Sequence, residues 1–244
     1  MSSAPGGQPG SENVGEQIHI VRQKMTLACL TAGRAPESVR LLAVSKSFPA
    51  SGIRAAHACG QDAFGESYVQ EALEKMSSLA DLPLEWHYIG PLQSNKTRQV
   101  AELFSWVHAV DRLKIAERLS AQRPAQLPAL NLCIQVNISG EASKAGVAPA
   151  QTLELARAIS ALPRVKLRGL MAIPEPAAGL EAQRAPFHHL QHLLMQLQAA
   201  GLQCDTLSMG MSADLEAAIA EGATIVRVGT AIFGQRAYSA ESGA

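Results

Sequence analysis

Leu41–Ser45 reads LLAVS, a run of five with only one polar residue at its end, followed at once by Lys46. A short aliphatic run of this length, flanked by polar residues, is a buried parallel strand rather than a half-exposed one. The same unit recurs on both sides. Upstream, Glu16–Ala32 has helical character and stops near Gly33. Downstream, helical stretches at Pro49–Cys59, Tyr68–Leu79, Ser94–Leu103, Arg112–Gln122, Ala150–Leu162, Glu181–Ala200 and Ser212–Ala220 alternate with strand-like runs. Those runs are Asp62–Phe64, Glu85–Ile89, Trp106–Ala109, Ala129–Asn137, Lys166–Met171, Cys204–Ser208 and Thr224–Val228, with a last helical turn after Gly229.

Eight strands, each followed by helical sequence, predict a parallel sheet. Within 244 residues eight such units predict closure into a single (β/α)8 TIM barrel with an extra N-terminal helix. A doubly wound open sheet is the alternative. The barrel is expected over residues 16–236, between a flexible tail at 1–15 and a C-terminal tail at 237–244. The Gly, Pro and Ser content of MSSAPGGQPGSENVGEQ supports the first tail, and it has neither a basic nor an apolar signal region.

Composition removes several classes. Lys plus Arg and Asp plus Glu both number 21, so no bulk field draws the chain to nucleic acid or an anionic membrane. No apolar run approaches the roughly 20 residues of a membrane helix. The four cysteines form no CxxC pair, which points to a reducing, cytoplasmic setting. FHHLQHLL (Phe187–Leu194) puts His188 and His192 four apart on one helix. That spacing can bind zinc, but a solvated helix face is the simpler reading because no acidic or Cys ligand lies close in sequence.

In such a barrel, chemistry gathers at the C-terminal ends of the strands. Lys46 ends the first strand there, either as a surface lysine or as an amine able to attack a carbonyl. Glu66 and Ser67 follow the second strand and read as helix caps. HYIGPLQSNK gathers His87, Gly90, Gln93, Asn95 and Lys96, with His87 more readily structural than catalytic. Lys144 falls in a loop after the fifth strand. SMGMSADLEAA after the seventh strand and VRVGTAIFG after the eighth are small-residue turns opening onto helices. Turns in these two places suit a phosphate. A lysine nucleophile beside a phosphate cup suggests a phosphorylated aldehyde. Pyridoxal 5'-phosphate fits, as does the substrate of a sugar-phosphate aldolase.

AVSK, FGESYVQE, WHYIGPLQSNK, VNISGEASKAG, GLMAIP, SMGMSADLEAAI and VRVGTAIFG occur in order between Leu41 and Gly234. Together they resemble the YggS/PROSC family of pyridoxal phosphate homeostasis proteins, whose barrel is like the N-terminal domain of alanine racemase and the fold-type III decarboxylases. The resemblance implies that Lys46 holds pyridoxal phosphate as a Schiff base. It implies that Ser208, Met209, Gly210 and Ser212 form one phosphate-binding turn and Gly229 and Thr230 the other. Arg227 would face the pyridine nitrogen and keep it unprotonated, and Asn95, Ile89 and Met171 would line the ring pocket. Ser67 departs from the Asn usual in that family. Racemases of this fold carry a second β-rich domain for which no sequence follows here. The resemblance therefore implies a monomeric carrier that buffers pyridoxal phosphate for apo-enzyme recipients rather than an enzyme. A barrel-only racemase is the alternative, with His87 as a conceivable second base.

Overall fold

A computed structural model of the chain describes residues 13–140 and 145–234. Residues 1–12 and 235–244, with most of the expected tails, lie outside the described residues, as does Lys144.

The strands are β1 (Arg40–Val44), β2 (Ala63–Glu66), β3 (Glu85–Tyr88), β4 (Trp106–Val110), β5 (Leu130–Gln135), β6 (Val165–Met171), β7 (Thr206–Ser208) and β8 (Ile225–Val228). They form one closed, all-parallel barrel in sequence order. The barrel shuts where Leu42 pairs with Arg227 and Ala43 with Val228. The helices are α1 (Val14–Thr31), α2 (Ala50–Ala58), α3 (Val69–Ser78), α4 (Thr97–Leu103), α5 (Leu113–Gln122), α6 (Thr152–Ser160), α7 (Leu180–Ala199), α8 (Leu215–Ala220) and α9 (Thr230–Phe233). One helix follows each strand, and α1 is the additional N-terminal one. The expected alternation is present throughout. The main differences are that α4 begins at Thr97 and α8 at Leu215, each preceded by a turn, and that β5 stops at Gln135.

Alternation along each strand sorts side chains into two layers. Inside the barrel, Leu42, Ala63, Trp106, Ala109, Cys133, Met171 and Ile225 make one apolar cluster, with Ile89 against it. Outside, residues such as Ala43, Phe64, Val107, Ile134, Leu170 and Val226 pack under the helices in a much larger core. Helix α9 has only four residues, too few to cover its strand. Helix α1 lies against α2, α8 and α9 and supplies the missing cover. Arg34, just after α1, fastens it by donating to the carbonyls of Ile219 (2.7 Å) and Ala223 (2.8 Å).

Strands β6 and β7 approach most closely at Gly169, which pairs with Thr206. A Cβ at Gly169 would overlap the Thr206 carbonyl oxygen. Gly169→Ala is therefore expected to cost about 3 kcal/mol or more, because backbone must move to admit the methyl group. Urea unfolding of that variant checks this, and an unchanged midpoint contradicts it.

Candidate functional site

The C-terminal ends of the eight strands surround the barrel mouth. Lys46 stands there, half-buried, two residues past the end of β1. The Ser45 amide still donates to Gly65 on β2 (3.0 Å), and the Phe48 amide closes a turn onto the Ser45 carbonyl (3.0 Å). Lys46 occupies the second position of that turn. Ser47, at the third, has φ 65°, a left-handed value normally left to glycine in type II turns.

Two small-residue turns follow β7 and β8 at the same end of the barrel. In the first, Gly210 has φ 92°, and a Cβ there would sit 2.5 Å from the Ala218 Cβ. The Arg227 amide donates to the Gly210 carbonyl (2.9 Å) and so ties this turn to β8. In the second, a Cβ at Gly229 would lie 3.0 Å from the Val44 carbonyl. That close packing sets the β8 turn directly against the strand that carries Lys46. Thr230 is exposed at the start of α9, where the Ile232 and Phe233 amides both turn back to the Gly229 carbonyl (2.9 Å each).

Beneath the mouth runs a line of buried polar groups. Arg227 Nη1 donates to Ser208 Oγ (2.8 Å), and Nη2 to the Ala172 carbonyl (2.9 Å). Ser208 Oγ is 2.7 Å from His108 Nδ1, His108 Nε2 is 2.9 Å from His87 Nδ1, and His87 Nε2 is 2.6 Å from Glu85 Oε1. With both imidazoles neutral, the carboxylate at the far end, which can only accept, sets the direction of every bond. His87 donates to Glu85, His108 to His87, the Ser208 hydroxyl to His108, and Arg227 to Ser208. Arg40 meets Glu85 from the outside at 2.6 Å.

Charge follows from burial. His87 and His108 are fully enclosed, and loss of solvent pushes both imidazoles below the ordinary value, His108 the further because His87 and Arg227 add to it. Both are therefore neutral near neutral pH. The His87 hydrogen bond is the main influence holding the Glu85 carboxyl down at about 2. Burial lowers the Arg227 guanidinium to about 10, so it remains a cation. Burial alone also lifts the Tyr88 phenol to about 12; its hydroxyl donates to the Ser67 carbonyl (3.1 Å).

The structure brings together Lys46, Ser208, Gly210, Arg227 and Gly229. Met171 and Ile89 meet in the interior cluster below them. Met209 turns its side chain into the outer core, leaving only backbone for the turn. Asn95 is exposed in the turn after β3, and Ser212 is exposed in the turn before α8. In that second turn the Asp214 carboxylate, not Ser212, takes the Met211 amide (2.6 Å). Glu66, expected as a cap, is the buried last residue of β2. His87 has both ring nitrogens bonded and serves the interior. His108 and Glu85 were not anticipated as site residues; the only sequence signal was a histidine inside the aliphatic run WVHAV. His188 pairs with Glu221 (2.8 Å) and touches His192, and no group of three or more metal-binding side chains occurs among the described residues.

The family model for the alanine racemase N-terminal domain matches residues 30–237. A relative from Pseudomonas aeruginosa named pyridoxal phosphate homeostasis protein is 61% identical over 227 residues, covering 93% of this chain and 97% of the relative. The chain belongs to the pyridoxal phosphate homeostasis protein family. An Escherichia coli protein of the same name is 51% identical, with 93% and 98% of the two chains covered. The structure is also similar to that of PipY from Synechococcus elongatus with pyridoxal phosphate bound. That match has a TM-score of 0.79 and 40% identity, covering 91% of this chain and all of the other.

The mouth suits the cofactor of the family's name. It offers the Lys46 amine, the small-residue turns at Gly210 and Gly229, and the Arg227 cation, which is only 4% exposed. An aldehyde, a phosphate and a basic ring nitrogen match those three features in kind.

The buried imidazoles set a pH dependence. Their folded values lie below the unfolded one, so the unfolded chain takes up protons first as pH falls. Their contribution is complete above about pH 6.5 and shrinks below it, whereas that of Glu85 fades only from about pH 4.5 downward. Urea midpoints are expected to be level between about pH 7 and 8 and to drop from about pH 6.5 to 5. A His87→Asn/His108→Asn double variant should lose most of that slope. A wild-type midpoint flat down to about pH 5 would contradict neutral burial.

Proposed function

We propose that this chain binds pyridoxal 5'-phosphate, holds it as a Schiff base on Lys46, and acts in pyridoxal phosphate homeostasis as a carrier rather than as an enzyme. The observation that carries the reading is the packing of the Gly229 turn against Val44, which sets a small-residue turn beside the lysine turn. The relatives' names describe homeostasis and no catalysed reaction.

When bound, the cofactor would supply an aldehyde, and Lys46 would be the amine that meets it. The Ser208–Gly210 and Gly229–Thr230 turns would hold the phosphate through amides and hydroxyls. Ser212 and Met209 would add to the first turn, the latter through backbone only. Arg227 would stand at the ring nitrogen as a fixed cation and discourage its protonation. That weakens the ring as an electron sink. Ile89 and Met171 would form an apolar floor, and Asn95 would reach it from the rim. Docking the phosphate first gives the amine a high local concentration of aldehyde.

A racemase needs a second acid–base group across the substrate from Lys46. His87 does not serve, since Glu85 and His108 occupy both its ring nitrogens. All four cysteines are free, as a reducing cytoplasm would keep them, and no helix among the described residues is long and apolar enough to cross a membrane. We read the chain as a monomer. Its recipients would be apo-enzymes that use the cofactor.

Lys46→Ala is expected to abolish covalent attachment while keeping measurable, phosphate-dependent affinity by equilibrium dialysis. Added amino acids should exchange with Lys46 for the cofactor without inversion at Cα, read by chiral chromatography. Steady turnover to the opposite enantiomer would overturn the carrier reading.

A further inference from the structure

The turn that carries Lys46 is fastened from behind by a buried ion cluster. Lys75, on α3 and 6% exposed, spends its three ammonium hydrogens on the Ser45 carbonyl (2.7 Å), Glu66 Oε1 (2.8 Å) and Glu71 Oε1 (2.5 Å). The Ser45 hydroxyl donates to Glu66 Oε1 (2.6 Å), and the Ser47 amide donates to Glu71 Oε1 (2.6 Å). Both neighbours of Lys46 are therefore held by the same three side chains. None of those side chains belongs to the inward-facing apolar cluster of the barrel.

The cluster is a poor way to gain stability. Glu66 is fully buried, and its Oε2 has no hydrogen-bond partner. Burial raises the Glu66 carboxyl against the pull of Lys75. Buried ion pairs seldom outperform apolar packing, and an orphaned carboxylate oxygen carries its desolvation cost unrelieved. Ser47 adds left-handed backbone in a residue with a Cβ, a strained state that persists only where surroundings enforce it. Three unfavourable features converge on the two residues flanking one lysine.

We infer that Glu66, Glu71 and Lys75 are positioning residues that lock the Ser45–Phe48 turn and thereby aim Lys46 at the mouth for condensation with an aldehyde. The inference rests on the function proposed above. Glu71 holds the strained Ser47 amide, Lys75 holds the Ser45 carbonyl, and Glu66 braces both. The lysine then reaches the aldehyde carbon without first ordering its own backbone. Misplacement by about 1 Å is enough to cost such a group a large part of its rate.

Stopped-flow absorbance, with borohydride trapping to count attached cofactor, separates first docking from covalent attachment. Glu71→Ala is expected to slow attachment at saturating pyridoxal phosphate by at least about tenfold while docking affinity stays within about twofold. Glu71→Gln, which keeps an oxygen for the Ser47 amide, should restore most of the rate. Lys75→Met is the harsher variant, and Glu71→Ala keeps the test open if it fails to fold. Attachment by Glu71→Ala at the wild-type rate, or a rate loss matched by an equal loss of docking affinity, overturns the inference. A wild-type protein that never attaches the cofactor overturns the proposed function instead, a different result from the other two.

Discussion

The pairing of β8 with β1 is the constraint on which everything else depends. It joins the two ends of the barrel through Leu42–Arg227 and Ala43–Val228. One ladder then places the lysine turn, the Gly229 turn and Arg227 side by side. No local sequence element could do this, because the partners lie at opposite ends of the described chain. Such closure must await the intervening strands, so the site exists only once the whole barrel has formed. The short α9 and the covering role of α1 belong to the same requirement. Helix α1 packs beside α2, α8 and α9 at that closure.

Inside that barrel the chain departs from an all-aliphatic filling. Two imidazoles, a serine hydroxyl and a guanidinium replace apolar layers along one side. Each buried polar atom must then find a partner or carry its desolvation cost. Here each imidazole nitrogen finds one, and the carboxylate of Glu85 fixes the direction of donation up to Arg227. The arrangement makes Arg227 a fixed feature of the floor rather than a flexible side chain. The Lys75 cluster does the corresponding work from outside the barrel, on the lysine side. One polar group holds the Arg227 guanidinium, and the other holds the two residues that flank Lys46.

Much of this was readable from the chain itself. LLAVS, VHAV and TIVRV are aliphatic because both faces of a parallel barrel strand are buried, and that regularity gave the fold. Lys46 stood out as a cation directly after such a run. Gly210 and Gly229 stood out because small-residue turns after the seventh and eighth strands have few other uses. What the pattern did not yield is long-range partnership. Glu71 and Lys75 look like an ordinary exposed i,i+4 helix pair, and only the fold reveals Ser45 and Glu66 beside them. His108 carries no mark that distinguishes a core histidine from a linked one. Ser212 read as the first residue of a helix, but Asp214 turns back to the Met211 amide and delays the helix to Leu215.

The most direct test of this account is borohydride reduction of the purified protein after incubation with pyridoxal phosphate, followed by peptide mapping. A visible absorbance band that reduction abolishes is expected, with the pyridoxyl mass fixed on the peptide containing Lys46. A protein that shows no band, or that carries the label on a different lysine, would contradict it.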